Sequence, residues 1–168
     1  QGYSVGSTWV NTVSKNEFVC VNAIAGAAVW KVTTITLSVF GNDYNVIETT
    51  TAATTSTSVF QNYTALTLNI AAGTLNGNYR IQWTCMVTNN SKQGEFRFVD
   101  NTVPDSPVVL GPSILYQANG NSDVIPLGGV VNVSIAGVSK QYLIQFRAVG
   151  ASGTETLKGG RIEIFRIS

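Results

Sequence analysis

The sequence predicts an all-β fold, an antiparallel β-sandwich, and three observations carry that expectation. No window places apolar residues at i, i+3, i+4 and i+7 without a β-branched residue or a glycine interrupting it, so no helix is expected. Short runs of alternating apolar and polar residues recur along the whole chain. Turn-forming clusters separate them: Gly41-Asn42-Asp43, Asn76-Gly77-Asn78, Asn89-Asn90-Ser91, Asn119-Gly120-Asn121 and Gly128-Gly129. Many short strands at this spacing mean a sandwich or a barrel.

In chain order, residues 1–33 read as a separate small meander. Its strands are Thr8–Val13, Glu17–Asn22 and Ala28–Thr33, joined by a turn at Ser14-Lys15-Asn16 and an Ala/Gly turn. It carries two of the three tryptophans, Trp9 and Trp30. A unit this small makes too little core to bury those rings alone, so it needs the main domain or copies of itself.

Residues 34–168 read as the main domain. Its expected strands are Thr34–Phe40, Tyr44–Thr49, Ser56–Gln61, Ala65–Ile70, Asn78–Thr88, Gly94–Asp100, Val108–Tyr116 and Val130–Ile135, and a C-terminal pair completes them. The Thr-rich stretch Thr49–Ser58 reads as a loop or a weak edge strand. The cleanest alternation is Tyr79–Thr88, with Tyr79, Ile81, Trp83, Cys85 and Val87 on one side. Phe96 and Phe98 alternate after the next turn, which suggests a hairpin partner for that strand. In the C-terminal pair, Lys140–Val149 sets Tyr142, Ile144, Phe146 and Ala148 on one parity and Leu143, Gln145, Arg147 and Val149 on the other. That pattern suits one face in a core and one in a partly polar contact. Gly160–Ser168 follows after a glycine-flanked segment read as a long hairpin loop, with Gly159-Gly160 as hairpin glycines. Ending on a strand should tie the C-terminus down. The expected core comprises Trp83, Phe96, Phe98, Leu66, Leu68, Val131, Val133, Ile144 and Ile162.

The 168 residues suit one ordinary domain with a small appendage. Charged residues are 11% of the chain, against roughly 25% in an average soluble protein. The balance is made up by Thr, Ser, Asn and Gly. Ten basic residues against nine acidic ones leave a net charge of +1. No electrostatic footprint for nucleic acid or an anionic membrane follows from that balance. No apolar run is long enough for a transmembrane helix, and the start lacks the shape of a signal peptide. Opening on Gln1 rather than Met is as expected of a fragment or a processed product.

Chemistry-bearing constellations are sparse. With no histidine, the Ser-His-Asp, Cys-His and His-metal arrangements are excluded. The acidic residues are scattered, and no pair is placed by spacing to face one glycosidic bond. No catalytic residue, metal ligand or cofactor site is therefore expected. Asp100 and Asp105 flank a turn that could hold calcium, but turn-forming Asp is the commoner role. Cys20 and Cys85 sit inside apolar alternation and read as buried free thiols, with a disulfide between them as the alternative, although small disulfide scaffolds carry far more Cys. Asn62-Tyr63-Thr64, Asn89-Asn90-Ser91 and Asn132-Val133-Ser134 match the glycosylation sequon, as chance alone supplies in a chain so rich in Asn and Ser/Thr.

Two stretches resemble a known family. GSTWVNTVSKNEFVCVNAIAGAAVWK is similar to a unit found ahead of the head domains of bacteriophage and other viral fibre proteins. NGNYRIQWTCMVTN, FRFVDNT, YLIQFRA and GGRIEIFRIS resemble the heads themselves. Tyr79-Arg80, Trp83 and the Arg161–Arg166 run carry the less generic part of the match, and Phe165 stands where a tryptophan is more usual. The resemblance implies a jelly roll related in shape to tumour necrosis factor, preceded by a shaft-like meander, and displayed on the virion surface. It implies a non-catalytic homotrimer that attaches to a host cell-surface receptor, with glycans among the candidates. The low charge and the two-tryptophan meander also favour burial between chains, and closed rotational symmetry is the common way to supply it. Tyr142 and Phe146 could then serve either the core or a threefold axis. The alternative reading is a capsid or vertex decoration that binds no receptor.

End loops are the usual place for recognition in such a scaffold. The candidate is Pro112–Pro126, with Tyr116, Gln117, Asn119, Asn121 and Asp123. There the ring would pack on a sugar face while the amides and the carboxylate read its hydroxyls. A second candidate is the Asn89–Gln93 turn.

Overall fold

Alternation of side chains becomes geometry wherever a strand separates a core from its surroundings. The computed structural model describes residues 3–13, 16–33, 43–89, 93–117, 124–149 and 153–167. The chain divides into two compact units, residues 1–37 and 38–168. The boundary expected at 33/34 abuts residues 34–42, which lie outside the described residues, as does the expected strand Thr34–Phe40.

The first unit is an antiparallel meander of β1 (Thr8–Asn11), β2 (Asn16–Asn22) and β3 (Val29–Val32), in the order β1-β2-β3. Its aromatic rings meet in pairs. Trp9 lies against Phe18 with centroids 5.0 Å apart, and Tyr3 meets the Trp30 ring edge-on at 5.0 Å. Trp9 nonetheless stays 52% exposed, as the small size of the unit dictates.

The second unit contains β4 (Tyr44–Thr49), β5 (Ala53–Thr55), β6 (Gln61–Ile70), β7 (Asn76–Asn89), β8 (Gln93–Asp100), β9 (Val108–Val109), β10 (Ile114–Gln117), β11 (Ile125–Ala136), β12 (Lys140–Val149) and β13 (Glu155–Arg166). One sheet runs β10-β8-β12-β6 with β9 beside β8, and the other runs β11-β7-β13-β4 with β5 beside β13. All the pairings are antiparallel. From β6 to β8, and again from β10 to β13, each successive strand crosses to the opposite sheet. That crossing order makes the sandwich a jelly roll.

The crossings correct two expectations. β8 is not the hairpin partner of β7, and β12 does not pair with β13; each couple lies in opposite sheets. Alternation reveals which face of a strand is apolar but says nothing about its neighbour. Here the apolar faces of β7 and β8 meet across the core, where the Trp83 and Phe98 rings stack with centroids 5.8 Å apart. Other expectations shift as well. Residues 56–60 of the strand expected at Ser56–Gln61 form no strand, and β6 begins at Gln61; β5 (Ala53–Thr55) lies in the Thr-rich stretch read as a loop or a weak edge strand. Val108–Tyr116 is broken into β9 and β10, with Gly111 at φ +84° and Pro112 in the gap. Gly128 and Gly129 are not a turn; they lie within β11, and Gly159 and Gly160 lie within β13. Glycine there reflects close backbone approach rather than a turn. A Cβ on Gly128 would come 2.5 Å from the Trp83 carbonyl oxygen.

The core follows the expected parity. Leu66, Leu68, Trp83, Phe96, Phe98, Ile144 and Ile162 are buried in one cluster, and Val131 and Val133 pack half-buried against it. Tyr142 and Phe146 belong to this same cluster, which decides their role in favour of the core.

Cys20 and Cys85 are free and buried. Burial pushes the Cys85 thiol up to about 12, because the surroundings disfavour a thiolate. Cys85 should therefore resist a thiol reagent in the native protein at pH 8 and react once the chain is unfolded. Rapid labelling of Cys85 in the native state, read by mass spectrometry of its peptide, would contradict this packing.

Candidate binding groove

The exposed face of the β10-β8-β12-β6 sheet is where polar parity and register converge. Register sets Gln145 of β12 opposite Arg97 of β8 on one side and opposite Asn62 of β6 on the other. The second pairing depends on an irregularity. Leu143 pairs with Thr67, so a straight ladder would bring Ala65 opposite Gln145; the register shift delivers Asn62 instead. Bulges commonly re-aim side chains in this way at functional sites.

The three side chains form a hydrogen-bonded row. Arg97 Nε donates to Gln145 Oε1 at 2.9 Å, and Gln145 Nε2 donates to Asn62 Oδ1 at 2.7 Å. Gln145 is only 5% exposed, so this row is anchored inside the protein. The segment before β6 closes over one end. Phe60 offers its ring to two guanidinium groups, Arg97 with its carbon 3.6 Å from the ring centroid and Arg147 at 4.5 Å. Such cation–π contacts fix a guanidinium's face and leave its N–H edge to act. Arg147 is also held by Glu95, to whose Oε2 its Nε donates at 2.8 Å, and by the Ser58 carbonyl at 3.2 Å. Burial lowers the Arg97 pKa, with Glu95 opposing and Arg147 adding to the effect. Between this row, the 58–64 stretch and Pro104 and Pro107 lies a groove of about 710 Å³.

Two further features lie elsewhere. A cleft of about 690 Å³ on the other sheet is lined by Glu48, Met86, Lys158 and Arg161 among others, where Arg161 is paired with Glu48 and Glu163. A second amide row links Asn101, Gln141 and Asn69 at the far end of β12. Asp100 is engaged there: Lys140 Nζ donates to it at 2.7 Å and the Thr102 amide at 3.0 Å. Burial pushes its carboxyl up, but these hydrogen bonds outweigh it and hold the pKa below the usual value. Asp100 thus shapes its turn. Among the described residues no group of three or more His, Cys, Asp or Glu side chains could hold a metal.

The residues expected to bind from the sequence are placed as follows. Tyr116 and Gln117 lie on β10, opposite Gly94 and Gln93. Tyr116 packs half-buried against the core and Gln117 is exposed. Asn119, Asn121 and Asp123 lie outside the described residues, as do residues 90–92 of the second candidate turn. Phe60, Asn62, Arg97, Gln145 and Arg147 were not singled out as binding residues. The available signal was the polar parity of Lys140–Val149, where Gln145 and Arg147 interrupt apolar neighbours.

No protein-family model and no curated protein matches the chain. Solved structures do. One similar structure is the EclA C-terminal domain, a sugar-binding protein, at 11% identity and TM-score 0.42, covering 68% of this chain and 78% of that one. Another is the carbohydrate-binding module CBM6cm-2 from Cellvibrio mixtus lichenase 5A in complex with cellotriose, at 18% identity and TM-score 0.39, covering 99% and 92%. A third is the Eiger TNF from S. frugiperda, at 8% identity and TM-score 0.42, covering 75% and 94%.

Proposed function

We propose that the chain is the attachment head of a viral, bacteriophage-type fibre or spike. In this reading it is a non-catalytic homotrimer at the virion surface, and it holds a host cell-surface glycan in the Arg97–Gln145–Asn62 groove. The observation that carries the reading is the anchored polar row itself. Three strands present fixed hydrogen-bonding side chains in one open groove, the arrangement that sugar hydroxyls require. Fixing those side chains before the ligand arrives lowers the entropic cost of binding. The trimer is supported by the apolar side chains that the first unit exposes, among them Trp9 at 52% and Val13 at 91%. Asn119, Asn121 and Asp123 are kept as a second proposed contact on the grounds of sequence alone.

A glycan array probed with the trimer tests this. The expected result is saturable retention on a subset of saccharides, with no release of reducing ends. A trimer that retains no saccharide and binds no cell would favour the capsid or vertex decoration instead. A single-chain mass by light scattering at micromolar concentration would refute the trimer. Loss of binding in the double variant Asn121→Ala with Asp123→Ala, with an unchanged melting temperature, would place the decisive contact in that stretch.

A further inference from the structure

The groove's hydrogen-bonding polarity is fixed by chemistry. An arginine has no acceptor, so Gln145 must turn its oxygen toward Arg97. Its amide nitrogen then faces Asn62, which must answer with its own oxygen. The N–H groups of this row that remain to face the groove lie on Arg97 and Asn62. Arg97 Nη1 and Nη2 have no hydrogen-bond partner among the described residues, and neither does Asn62 Nδ2. All of these are donors.

Charge points the same way. Among the described residues, the groove lining includes Arg97 and Arg147 and no carboxylate. Arg147 is neutralised by Glu95, whereas Arg97 forms no ion pair among the described residues. Both guanidinium groups crowd one ring, within 4.5 Å of its centroid. Asp105, in the neighbouring turn, is exposed and does not line the groove. Asp100 is occupied by Lys140.

We propose that this groove recognises the carboxylate of an acidic saccharide, and that Arg97 grips it end-on through Nη1 and Nη2. The Phe60 ring holds the guanidinium by its face and Gln145 holds it at Nε, which leaves the two Nη groups as a planar fork matched to a carboxylate. Asn62 Nδ2 donates to the same sugar. The inference rests on the reading that this groove binds glycans and adds the class of glycan.

The test sets matched probes against the wild-type trimer and two variants, Arg97→Gln and Arg97→Lys. The probes are tri-galacturonate, a hyaluronan oligosaccharide and sialyllactose, each beside its methyl ester, together with neutral and sulfated sugars. At least one acidic probe should bind the wild type, and esterifying it should weaken binding by about tenfold or more, the effect of losing a charged hydrogen-bonding pair. Arg97→Gln should lose as much while remaining a trimer with a wild-type melting temperature. Arg97→Lys should fall between, since it keeps the charge and loses the fork. The ester comparison needs no variant, so a folding defect in Arg97→Gln leaves the test intact. Equal affinity for acid and ester, binding unaltered by Arg97→Gln in a folded trimer, or selection of only neutral or only sulfated sugars would overturn the inference and leave glycan attachment standing. Binding of no saccharide at all would remove both.

Discussion

Trp83→Ala is expected to cost about 3–5 kcal/mol of folding stability, the range for truncating a fully buried large aromatic. Trp83 is 3% exposed, on the central strand β7, which is flanked by β11 and β13. Its indole stacks on Phe98 of the opposite sheet, interplanar angle 8°, and Phe98 stacks in turn on Tyr142 with centroids 6.2 Å apart. Three rings thus form a column through the core that joins the two sheets. Removing the first leaves a cavity among close-packed core side chains, the Phe98 ring among them, which cannot collapse freely. Denaturant unfolding followed by circular dichroism measures the loss. A loss below about 1 kcal/mol would mean the core relaxes around the missing ring, contrary to close packing.

Gly160→Val should destabilise by the opposite route, overpacking, at about 1–3 kcal/mol. Gly160 sits in β13 opposite Cys85 of β7. A Cβ there would lie 2.6 Å from the Thr84 carbonyl oxygen and 2.9 Å from Leu66 Cδ2. The first contact is with backbone inside a hydrogen-bonded ladder, so it cannot be relieved by a rotamer change. The strands must separate locally or the chain must bend. The same unfolding measurement reports it, and wild-type stability in Gly160→Val would show that the β7–β13 approach is looser than described.

How much of this was legible from the residues differs by feature, for physical reasons. The strand faces were readable because a period of two needs only local sequence: Leu66, Trp83, Phe98 and Ile162 fall on the buried parity as expected. Partners were not readable. Phe96 and Phe98 were matched to Tyr79–Thr88 as a hairpin because they follow it, yet β8 lies in the other sheet. Local alternation is the same whether the next strand pairs or crosses over. The glycines at 128, 129, 159 and 160 misled for a related reason. A glycine tolerates a turn and a close strand contact equally, and only the neighbouring backbone distinguishes them.

The groove was half legible. Gln145 and Arg147 on the polar parity of β12 indicated a face that is neither core nor plain surface. Asn62 could not be placed there, because it reaches Gln145 only through the register shift in β6. Phe60 lay in a stretch read as strand, and its contacts with Arg97 and Arg147 arise because the chain leaves the sheet between β5 and β6. Loop polarity directed attention to Tyr116, whose ring packs on the core.

The most direct test is a crystal structure of the protein with the acidic saccharide that the glycan array selects. The carboxylate is expected within hydrogen-bonding reach of Arg97 Nη1 and Nη2, with Asn62 Nδ2 on the same sugar and the Arg97–Gln145–Asn62 row unbroken. A saccharide seated on the 119–123 stretch or on the opposite sheet, with the groove empty, would contradict it.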